Sequence, residues 1–466
     1  MSVSSSSTMR YAVEPSRRTA CIPGHNSTAC SCLDTSPMST SEIAVSPAVM
    51  QGRPTRALPV LQILQLSAYW FAISAIWGTV TLFLQRRMED LVPKDVTGTA
   101  YGAVTAAGAL VAILVQPTIG SISDYTVSRW GRRKPYIAMG AIFDVIFLVG
   151  LATSQSYLSV FAFVCLLQLS SNTAQGPFQG YLPDLVPAKQ VSFASAVYGV
   201  MNVLGKVCGI ILAAVGQATG NFTVSLVGVG LLELAIATGT VAWVAEGRSA
   251  PSRQGRAWLD IARSAWGLDI LKERNFVWLV ASRLFLLLPI VGLLEFENFF
   301  LQRSLGLNDQ EAAFWNSAAS VVVGVSYVAA AYPAARLSDR IGRKNVIYAA
   351  AAIAGIGLLG VVLSPTPILA TAFIAVLAIG GGSFFAVDWA LMTDIIPKVT
   401  SGRFMGISNV VTAGAGPISA TISGVIMDRV GALDFTAGPR AALGIGLLFL
   451  TVSVFLLRPV DEKRRE

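Results

Sequence analysis

The chain has 466 residues, of which 54% are hydrophobic and only 13% are charged. Because soluble proteins carry charge on about a quarter of their residues, this composition excludes a soluble domain. The net charge of +8 does not require a nucleic-acid partner, since the basic residues follow the rule that orients membrane proteins.

Residues 1–58 are rich in Ser, Thr and Pro, and this composition predicts a disordered tail. Three of the five cysteines lie there with the only histidine: Cys21, Cys30, Cys32 and His25. Their spacing matches no zinc signature, so a metal site in the tail is the less favoured interpretation. We expect no cofactor, no metal in the membrane part and no disulfide framework.

Twelve continuous apolar runs follow, each close to the roughly 20 residues that a helix needs to cross a bilayer. They lie near residues 60–85, 98–120, 135–154, 157–182, 191–218, 222–245, 275–302, 312–336, 345–363, 366–392, 402–427 and 438–458. They predict an all-α integral membrane protein with twelve transmembrane helices in two pseudo-symmetric six-helix bundles.

The bundles are expected at residues 59–245 and 274–459, with a short tail at 460–466. A basic loop at 246–273 joins them, and its Ala257–Leu271 stretch favours an amphipathic helix on the membrane surface. With both termini in the cytoplasm, 26 of the 34 Lys and Arg lie in cytoplasmic segments, six in outer segments and two within helices. Cytoplasmic loops carry such an excess, so we expect a multi-pass protein of the cell membrane with both termini cytoplasmic.

Two loops in the chain repeat each other. The first, Gly120–Lys134, reads GSISDYTVSRWGRRK, and the second, Ala335–Lys344, reads ARLSDRIGRK. Downstream of them, YLPDLVP with Asp184 is answered by MTDIIP with Asp394. Repetition at about half the chain length indicates a duplicated unit, and duplicated hydrophobic halves are typical of secondary transporters.

The repeated loop resembles the signature loop of the major facilitator superfamily, which lies between the second and third helices of each half. The lengthened first copy carries Ser-Asp at 123–124, Ser-Arg at 128–129 and Gly-Arg-Arg at 131–133. This form resembles the sucrose-transporter and glycoside-carrier branch. The second copy departs from the pattern at Ala335, where the first has Gly120. The resemblance spans about residues 59–459 and implies a carrier whose two bundles rock around a central site.

Acidic residues in these loops are candidates for a gate. A carboxylate is stabilised by the positive N-terminus of a helix, so Asp124 is expected to meet the start of the eleventh helix near Ser401. By symmetry, Asp339 is expected to meet the start of the fifth helix near Ser192. The alternative is that the loops only fix topology through their basic residues. The predicted gating motif comprises Gly120, Asp124, Arg129, Gly131, Arg132, Arg133, Asp184, Asp339, Arg340, Gly342, Arg343 and Asp394.

Polar side chains recur at helical spacing along several apolar runs. In a bilayer, such a stripe must face another helix or water, and amides and hydroxyls suit a polyhydroxylated ligand. The alternative is that they bond neighbouring helices together. The predicted substrate-binding residues are Gln65, Tyr69, Trp77, Gln168, Asn172, Gln175, Gln179, Tyr198, Asn202, Lys206, Arg283, Asn316 and Asp388.

Buried charges within the runs need partners. Counting about 1.5 Å per residue from the helix ends predicts that Arg283 pairs with Asp388. Lys206 lies near the midplane, where Glu233 or Asp144 is expected to neutralise it. We take Asp144 and Asp388 as candidates for proton coupling, with Glu295 and Glu297 tuning proton entry. Structural pairing alone is the alternative.

These features predict a carrier, not an enzyme, because the only histidine lies in the tail and no Ser-His-Asp triad can form in the membrane part. We expect proton-coupled symport of a sugar or glycoside-like molecule by alternating access. The alternative is a proton-coupled exporter of a drug or metabolite. The expected partners are a small-molecule substrate, protons and the lipid bilayer, with no nucleic acid and with the monomer as the functional unit.

Overall fold

The computed structural model describes residues 57–126, 128–187, 190–246, 255, 257–260, 272–395 and 401–461. Within these ranges the protein is helical, and twelve helices are long and apolar enough to cross a membrane. The prediction of twelve helices is therefore confirmed. Residues 1–56 of the predicted tail and most of the predicted loop at 246–273 lie outside the described residues, so the boundaries assigned to them stay predictions.

The membrane helices are numbered in chain order. The first six are α1 (Val60–Leu91), α2 (Thr97–Asp124), α3 (Lys134–Ala152), α4 (Tyr157–Gln179), α5 (Val191–Thr219) and α6 (Phe222–Trp243). The second six are α7 (Arg274–Phe299), α8 (Asp309–Ile341), α9 (Arg343–Leu363), α10 (Pro367–Ile395), α11 (Ser401–Gly431) and α12 (Ala437–Leu457). A short helix, Tyr181–Leu185, follows α4, and a π-helical turn, Phe300–Ser304, extends α7.

Local sequence sets where these helices begin and end. Ser156 caps the first turn of α4 through a reciprocal bond with Ser159, and Asn308 caps α8 in the same way with Glu311. Such caps satisfy backbone N–H groups that have no partner within the helix. At the end of α5, Gly220 adopts a left-handed conformation with φ of 69°, which glycine tolerates without steric cost.

The packing of the helices repeats in the two halves. In the first half, α1 packs on α5 and α6, α3 packs on α4 and α6, and α2 packs on α4. The corresponding pairs in the second half are α7 with α11 and α12, α9 with α10 and α12, and α8 with α10. Between the halves, α2 packs on α11 and α5 packs on α8, which are equivalent pairs when the halves are exchanged. The pseudo-two-fold arrangement thus follows from the duplicated sequence.

An even number of crossings places the first residue of α1 and the last residue of α12 on one face of the protein. We call it the terminal face; it also carries the α2–α3 connection at 125–133. The opposite face, which we call the distal face, carries the α1–α2 connection at 92–96 and the α11–α12 connection at 432–436.

Candidate substrate and gating sites

A fully buried ion pair links α7 and α10 in the second bundle. The Nη1 atom of Arg283 lies 3.0 Å from Oδ2 of Asp388, and both side chains have no exposed surface. This is the pair that counting from the helix ends predicts. Nη1 of Arg283 also donates a hydrogen bond of 2.7 Å to Ser408 of α11, so one guanidinium ties three helices together.

Some polar atoms of the pair are not used in the described hydrogen bonds. Nε and Nη2 of Arg283, and Oδ1 of Asp388, are buried and have no hydrogen-bond partner among the described residues. Two aromatic residues lie near the pair: Arg283 is 5.1 Å from the ring of Trp389, and Tyr327 is close enough to interact with both charges. Buried donors and acceptors usually have partners, so these atoms of Arg283 and Asp388 are available to hydrogen-bond a ligand.

The polar stripe of α4 is partly engaged within the helix. Nδ2 of Asn172 donates to Oε1 of Gln168 at 2.9 Å and to the Gln168 carbonyl at 2.8 Å. Gln168 packs against Gly108 of α2. Gln175 and Gln179 are half-buried further along the same helix. The four residues therefore share one helix; in the described contacts the first two amides are partly used by their mutual hydrogen bond, and the last two form no side-chain hydrogen bond.

Two of the predicted residues, Tyr69 of α1 and Tyr198 of α5, lie in a cluster of aromatic rings. Tyr69 meets Phe178 edge-on at 4.9 Å, and Phe178 stacks on Tyr198 at 6.1 Å with an interplanar angle of 9°. The Tyr69 hydroxyl donates to Glu233 at 2.9 Å and is thus used within the protein. The remaining predicted residues of these helices are half-buried or exposed: Gln65, Trp77, Lys206 and Asn202.

Asp144, a predicted proton-coupling residue, has a different partner from the one that the sequence led us to expect. Asp144 of α3 and Glu233 of α6 lie within hydrogen-bonding reach of each other. Lys206 of α5 instead interacts with Glu295 of α7, across the two bundles. The prediction that Asp144 or Glu233 neutralises Lys206 is wrong, because these two carboxyl groups face each other and Glu295 is the acidic group that interacts with Lys206.

Glu295 lies in the contact between the bundles. It accepts a short hydrogen bond from the Tyr101 hydroxyl of α2, a residue that the sequence analysis missed. Its neighbour Glu297 is buried, with one carboxylate oxygen that lacks a partner among the described residues. Glu297 is therefore enclosed by protein in this conformation, whereas Glu295 is half-buried at the contact between the bundles.

Asn316 belongs to a cluster of amides that joins the bundles. Its Nδ2 donates to Oδ1 of Asn298 at 2.8 Å, and Gln217 of α5 donates to the same oxygen at 3.1 Å. This arrangement corresponds to interhelical bonding, the alternative that the sequence analysis left open for polar stripes. Asn298 and Gln217 were not among the predicted residues, since isolated amides in apolar runs carry no spacing signal.

The first signature loop folds into a charged cluster at the terminal face. Nη2 of Arg133 lies 2.8 Å from Asp124 and 2.8 Å from Asp184, and Nη1 donates to the Pro177 carbonyl at 2.6 Å. Arg132 adds a second contact to Asp184 at 2.9 Å. The cluster therefore links the end of α2, the start of α3 and the short helix after α4. All of these belong to one bundle.

A second set of contacts anchors the same loop. Gly131 has a φ of 127°, and a Cβ there would lie 2.7 Å from the Glu246 side chain, so glycine is required twice over. Glu246 accepts hydrogen bonds from the Arg133 backbone at 2.5 Å and from the Tyr181 hydroxyl at 2.6 Å. Burial, with the Glu246 charge beside it, raises the pKa of Tyr181, so the hydroxyl stays protonated and donates.

The other predicted gating residues lie outside the Arg133 cluster. Arg129 is exposed beside the ring of Trp130, and Gly120 faces Gly176 of α4. In the second copy, Asp339 and Arg340 are exposed, while Gly342 ends α8 with a φ of 93° and Arg343 begins α9.

The predicted contacts of Asp124 and Asp339 with helix N-termini remain untested. The side chains of Ser401, Ser192 and Asp394 lie outside the described residues. Asp124 is ion-paired with Arg133 within its own bundle in this conformation.

A carboxylate at a helix N-terminus does occur, at the distal face. Asp428, near the end of α11, accepts hydrogen bonds from the backbone N–H groups of Gly98 at 2.9 Å and Thr99 at 2.6 Å, in the first turn of α2. This contact joins the two bundles and combines charge-assisted hydrogen bonds with the helix dipole. The sequence analysis missed it because Asp428 lies outside the repeated loops.

Close backbone packing and ion pairs complete the distal contact. A Cβ on Gly424 of α11 would lie 2.1 Å from the Gly98 carbonyl oxygen. Nε of Arg303 contacts Glu89 at 2.7 Å, with both side chains largely buried, and Arg86 contacts Asp309 at 3.1 Å nearer the surface. The distal face is therefore closed in this conformation.

Residues 71–457 match the family described as MFS/sugar transport protein. The chain belongs to the major facilitator superfamily. Members of this family are transporters, so this MFS protein is a membrane transporter and not an enzyme. The match confirms the resemblance drawn from the signature loops.

Curated relatives of this MFS protein match it only in part. A sucrose transport protein of Arabidopsis thaliana is 29% identical over 132 residues, which is 24% of this chain and 22% of the relative. A sucrose transport protein of Oryza sativa subsp. indica is 31% identical over 124 residues, 22% of this chain and 24% of the relative. The chain thus matches less than a quarter of the length of these relatives.

Solved structures share the fold of this MFS protein over most of its length. A bacterial homologue of the human lysosomal transporter Spinster, in an inward-facing and occupied conformation, superposes with a TM-score of 0.70 at 14% identity, covering 87% of this chain and 98% of the other. A D-xylose–proton symporter superposes with a TM-score of 0.64 at 15% identity, covering 86% and 98%. At these identities the comparison shows the fold.

Proposed function

We propose that this transporter carries a sugar or glycoside by proton-coupled symport, with both termini in the cytoplasm. The partial similarity to sucrose transport proteins supports the substrate class. The observation that carries most weight is the Arg283–Asp388 pair, which holds unused donors and acceptors side by side near two aromatic residues.

The chemistry of this pair suits a sugar. Adjacent hydroxyl groups of a sugar both donate and accept hydrogen bonds, so they can satisfy Nε or Nη2 of Arg283 and an Asp388 oxygen together. The rings of Trp389 and Tyr327 provide apolar faces for the C–H side of a pyranose. Half-buried amides of α4, above all Gln175, complete the proposed site from the first bundle.

Reconstituted protein tests this function directly. We expect liposomes to take up labelled sucrose or another glycoside against its gradient when the outside is acidic, and a protonophore to abolish the accumulation. Asp388→Asn should raise the apparent KM for the sugar, while Asn316→Ala, in the amide cluster between the bundles, should alter rate without a matching change in KM. Export of a lipophilic compound in exchange for protons, with no sugar transport, would support the exporter instead.

Orientation is tested separately. If both termini are cytoplasmic, the terminal face is the cytoplasmic face, and a single cysteine introduced at exposed Arg129 in a background without native cysteines should resist impermeant reagents in intact cells. A cysteine at exposed Leu433 in the α11–α12 connection should react. If the cysteine at 129 reacted and the cysteine at 433 did not, the proposed orientation would be inverted and the closed distal face would be cytoplasmic.

A further inference from the structure

Four helices of the first bundle bring acidic and hydroxyl groups together at one buried point. Asp144 of α3 and Glu233 of α6 have no exposed surface. Tyr69 of α1 donates to Oε1 of Glu233 at 2.9 Å, and Ser170 of α4 donates a short hydrogen bond to Oδ1 of Asp144. Ser171 of α4 also faces Asp144.

Three buried polar atoms at this point lack a hydrogen-bond partner in the described contacts, and one of them is the Ser171 hydroxyl, which can donate to Asp144. Oδ2 of Asp144 and Oε2 of Glu233 are buried without a hydrogen-bond partner among the described residues, although the two side chains lie within hydrogen-bonding reach of each other. Ionised carboxylates only accept hydrogen bonds. The two oxygens can therefore bond to each other only if one carboxyl group carries a proton.

Charge balance leads to the same conclusion. The ion pairs formed by the described residues lie elsewhere, and none of them involves Asp144 or Glu233. Two like charges in contact, away from water and without a cation, cannot both remain ionised. A proton shared between the carboxyl groups lowers the charge of the site and supplies a donor between them.

We propose that Asp144 and Glu233 together bind one transported proton, held as the O–H of one carboxyl group donating to the other carboxylate. This inference rests on the proposed symport and replaces the single-residue role expected for Asp144. The proton enters from water on one side and leaves to water on the other side with the substrate, so no other reactant is needed.

The surroundings connect this acid pair to the helices that carry the proposed sugar site. Tyr69, bonded to Glu233, packs on Phe178 of α4, which stacks on Tyr198 of α5. Ser170 lies two residues before Asn172 on α4. Loss of the proton leaves two carboxylates in contact, and their repulsion favours a conformation in which α3 and α6 separate or the site meets water.

Infrared spectroscopy of the protein in lipid nanodiscs tests the pair without any transport assay. The difference spectrum of wild type minus the Asp144→Asn/Glu233→Gln double variant should show one protonated carboxyl band and one carboxylate band at neutral pH. At alkaline pH the acid band should convert to a second carboxylate band. Glu297→Gln, which removes a buried carboxyl group elsewhere, is the matched control. Two carboxylate bands at neutral pH, with no acid band, would overturn the proposal.

Transport in liposomes provides the second measurement. Glu233→Gln keeps the size of the side chain and an oxygen that can accept from Tyr69, so it should fold as wild type does and still exchange labelled sugar across the membrane. Uphill accumulation should be lost. If accumulation persists in both Glu233→Gln and Asp144→Asn, the pair is not the coupling site even though symport is real. If wild type shows no proton-driven sugar uptake, the proposed function fails, while the infrared result still decides whether the pair holds a proton.

Discussion

The two faces of the protein use the same kinds of interaction for different purposes. At the distal face, a carboxylate at a helix N-terminus, close glycine packing and ion pairs join one bundle to the other. At the terminal face, the described cluster around Arg133 joins parts of the same bundle. Contacts between bundles must break when the carrier rocks, whereas contacts within a bundle can persist through the cycle.

This difference gives the charged residues of the signature loop a new interpretation. Asp124 was expected to act across the bundles, but in the conformation with a closed distal face it is bound to Arg133 within its own bundle. If Asp124 also contacts α11 in the opposite conformation, it must either bind α11 and Arg133 together or leave Arg133 for α11. The distal contact of Asp428 with α2 is then its counterpart, engaged in the other half of the cycle.

The largest effect is expected from Arg133→Ala. The guanidinium is only 7% exposed, and its removal leaves Asp124, Asp184 and the Pro177 carbonyl without that donor. Breaking a buried ion pair costs about 3 to 5 kcal/mol, and the partial exposure of the two carboxylates places the loss near the lower value. We expect a clear drop in thermal stability in detergent. Arg129→Ala, in the same loop but exposed, is the control, and equal stability of the two variants would contradict this role.

The sequence allowed much of this framework to be predicted. Long apolar runs specify the helices, and the repeated loops specify both the duplication and the family. The Arg283–Asp388 pair could be predicted because depth within a helix can be counted from its ends.

The acid pair and the distal contact could not be predicted in this way. Which way Asp144 and Glu233 face depends on the rotation of α3 and α6, and two apolar helices carry little periodic signal that fixes it. The bond from Asp428 to α2 depends on how the bundles meet, which no local pattern records.

The second-largest effect is expected from Gly424→Ala, which should block closure of the distal face sterically. In Gly424→Ala, the new methyl group would lie 2.1 Å from the Gly98 carbonyl oxygen, and backbone atoms cannot move aside as a flexible side chain can. Overpacking of this kind costs about 1 to 3 kcal/mol, so the closed distal face should become rare and transport should fall sharply. Gly444→Ala on α12, where a Cβ meets no atom within 4 Å, should leave transport unchanged. Normal transport by Gly424→Ala would show that α2 and α11 need not approach this closely.

A smaller effect is expected from Asp428→Asn, which keeps the shape of the side chain but removes its charge. The interaction of a charge with a helix terminus contributes up to about 2 kcal/mol, or roughly thirtyfold in the equilibrium between the two conformations. Spin labels at Val96 and Leu433, both exposed at the distal face, should report a longer distance more often in the variant. Asp434→Asn is the control, because Asp434 bonds only to its own turn at Thr436 and Ala437 in the described contacts. An unchanged distance distribution in Asp428→Asn would mean that glycine packing alone holds this face closed.

The smallest effect should come from Arg86→Ala at the rim of the same face. Arg86 contacts Asp90 at 2.6 Å and Asp309 at 3.1 Å, but the three side chains are between 28% and 42% exposed. Exposed ion pairs contribute about 0.2 to 1 kcal/mol and weaken as salt rises. The distance between the spin labels should therefore shift slightly at low salt and return to that of wild type at high salt, whereas the shift caused by Gly424→Ala should not depend on salt. A salt-independent effect of Arg86→Ala as large as that of Gly424→Ala would mean that the ion pairs, and not the helix contact of α2 with α11, hold the distal face closed.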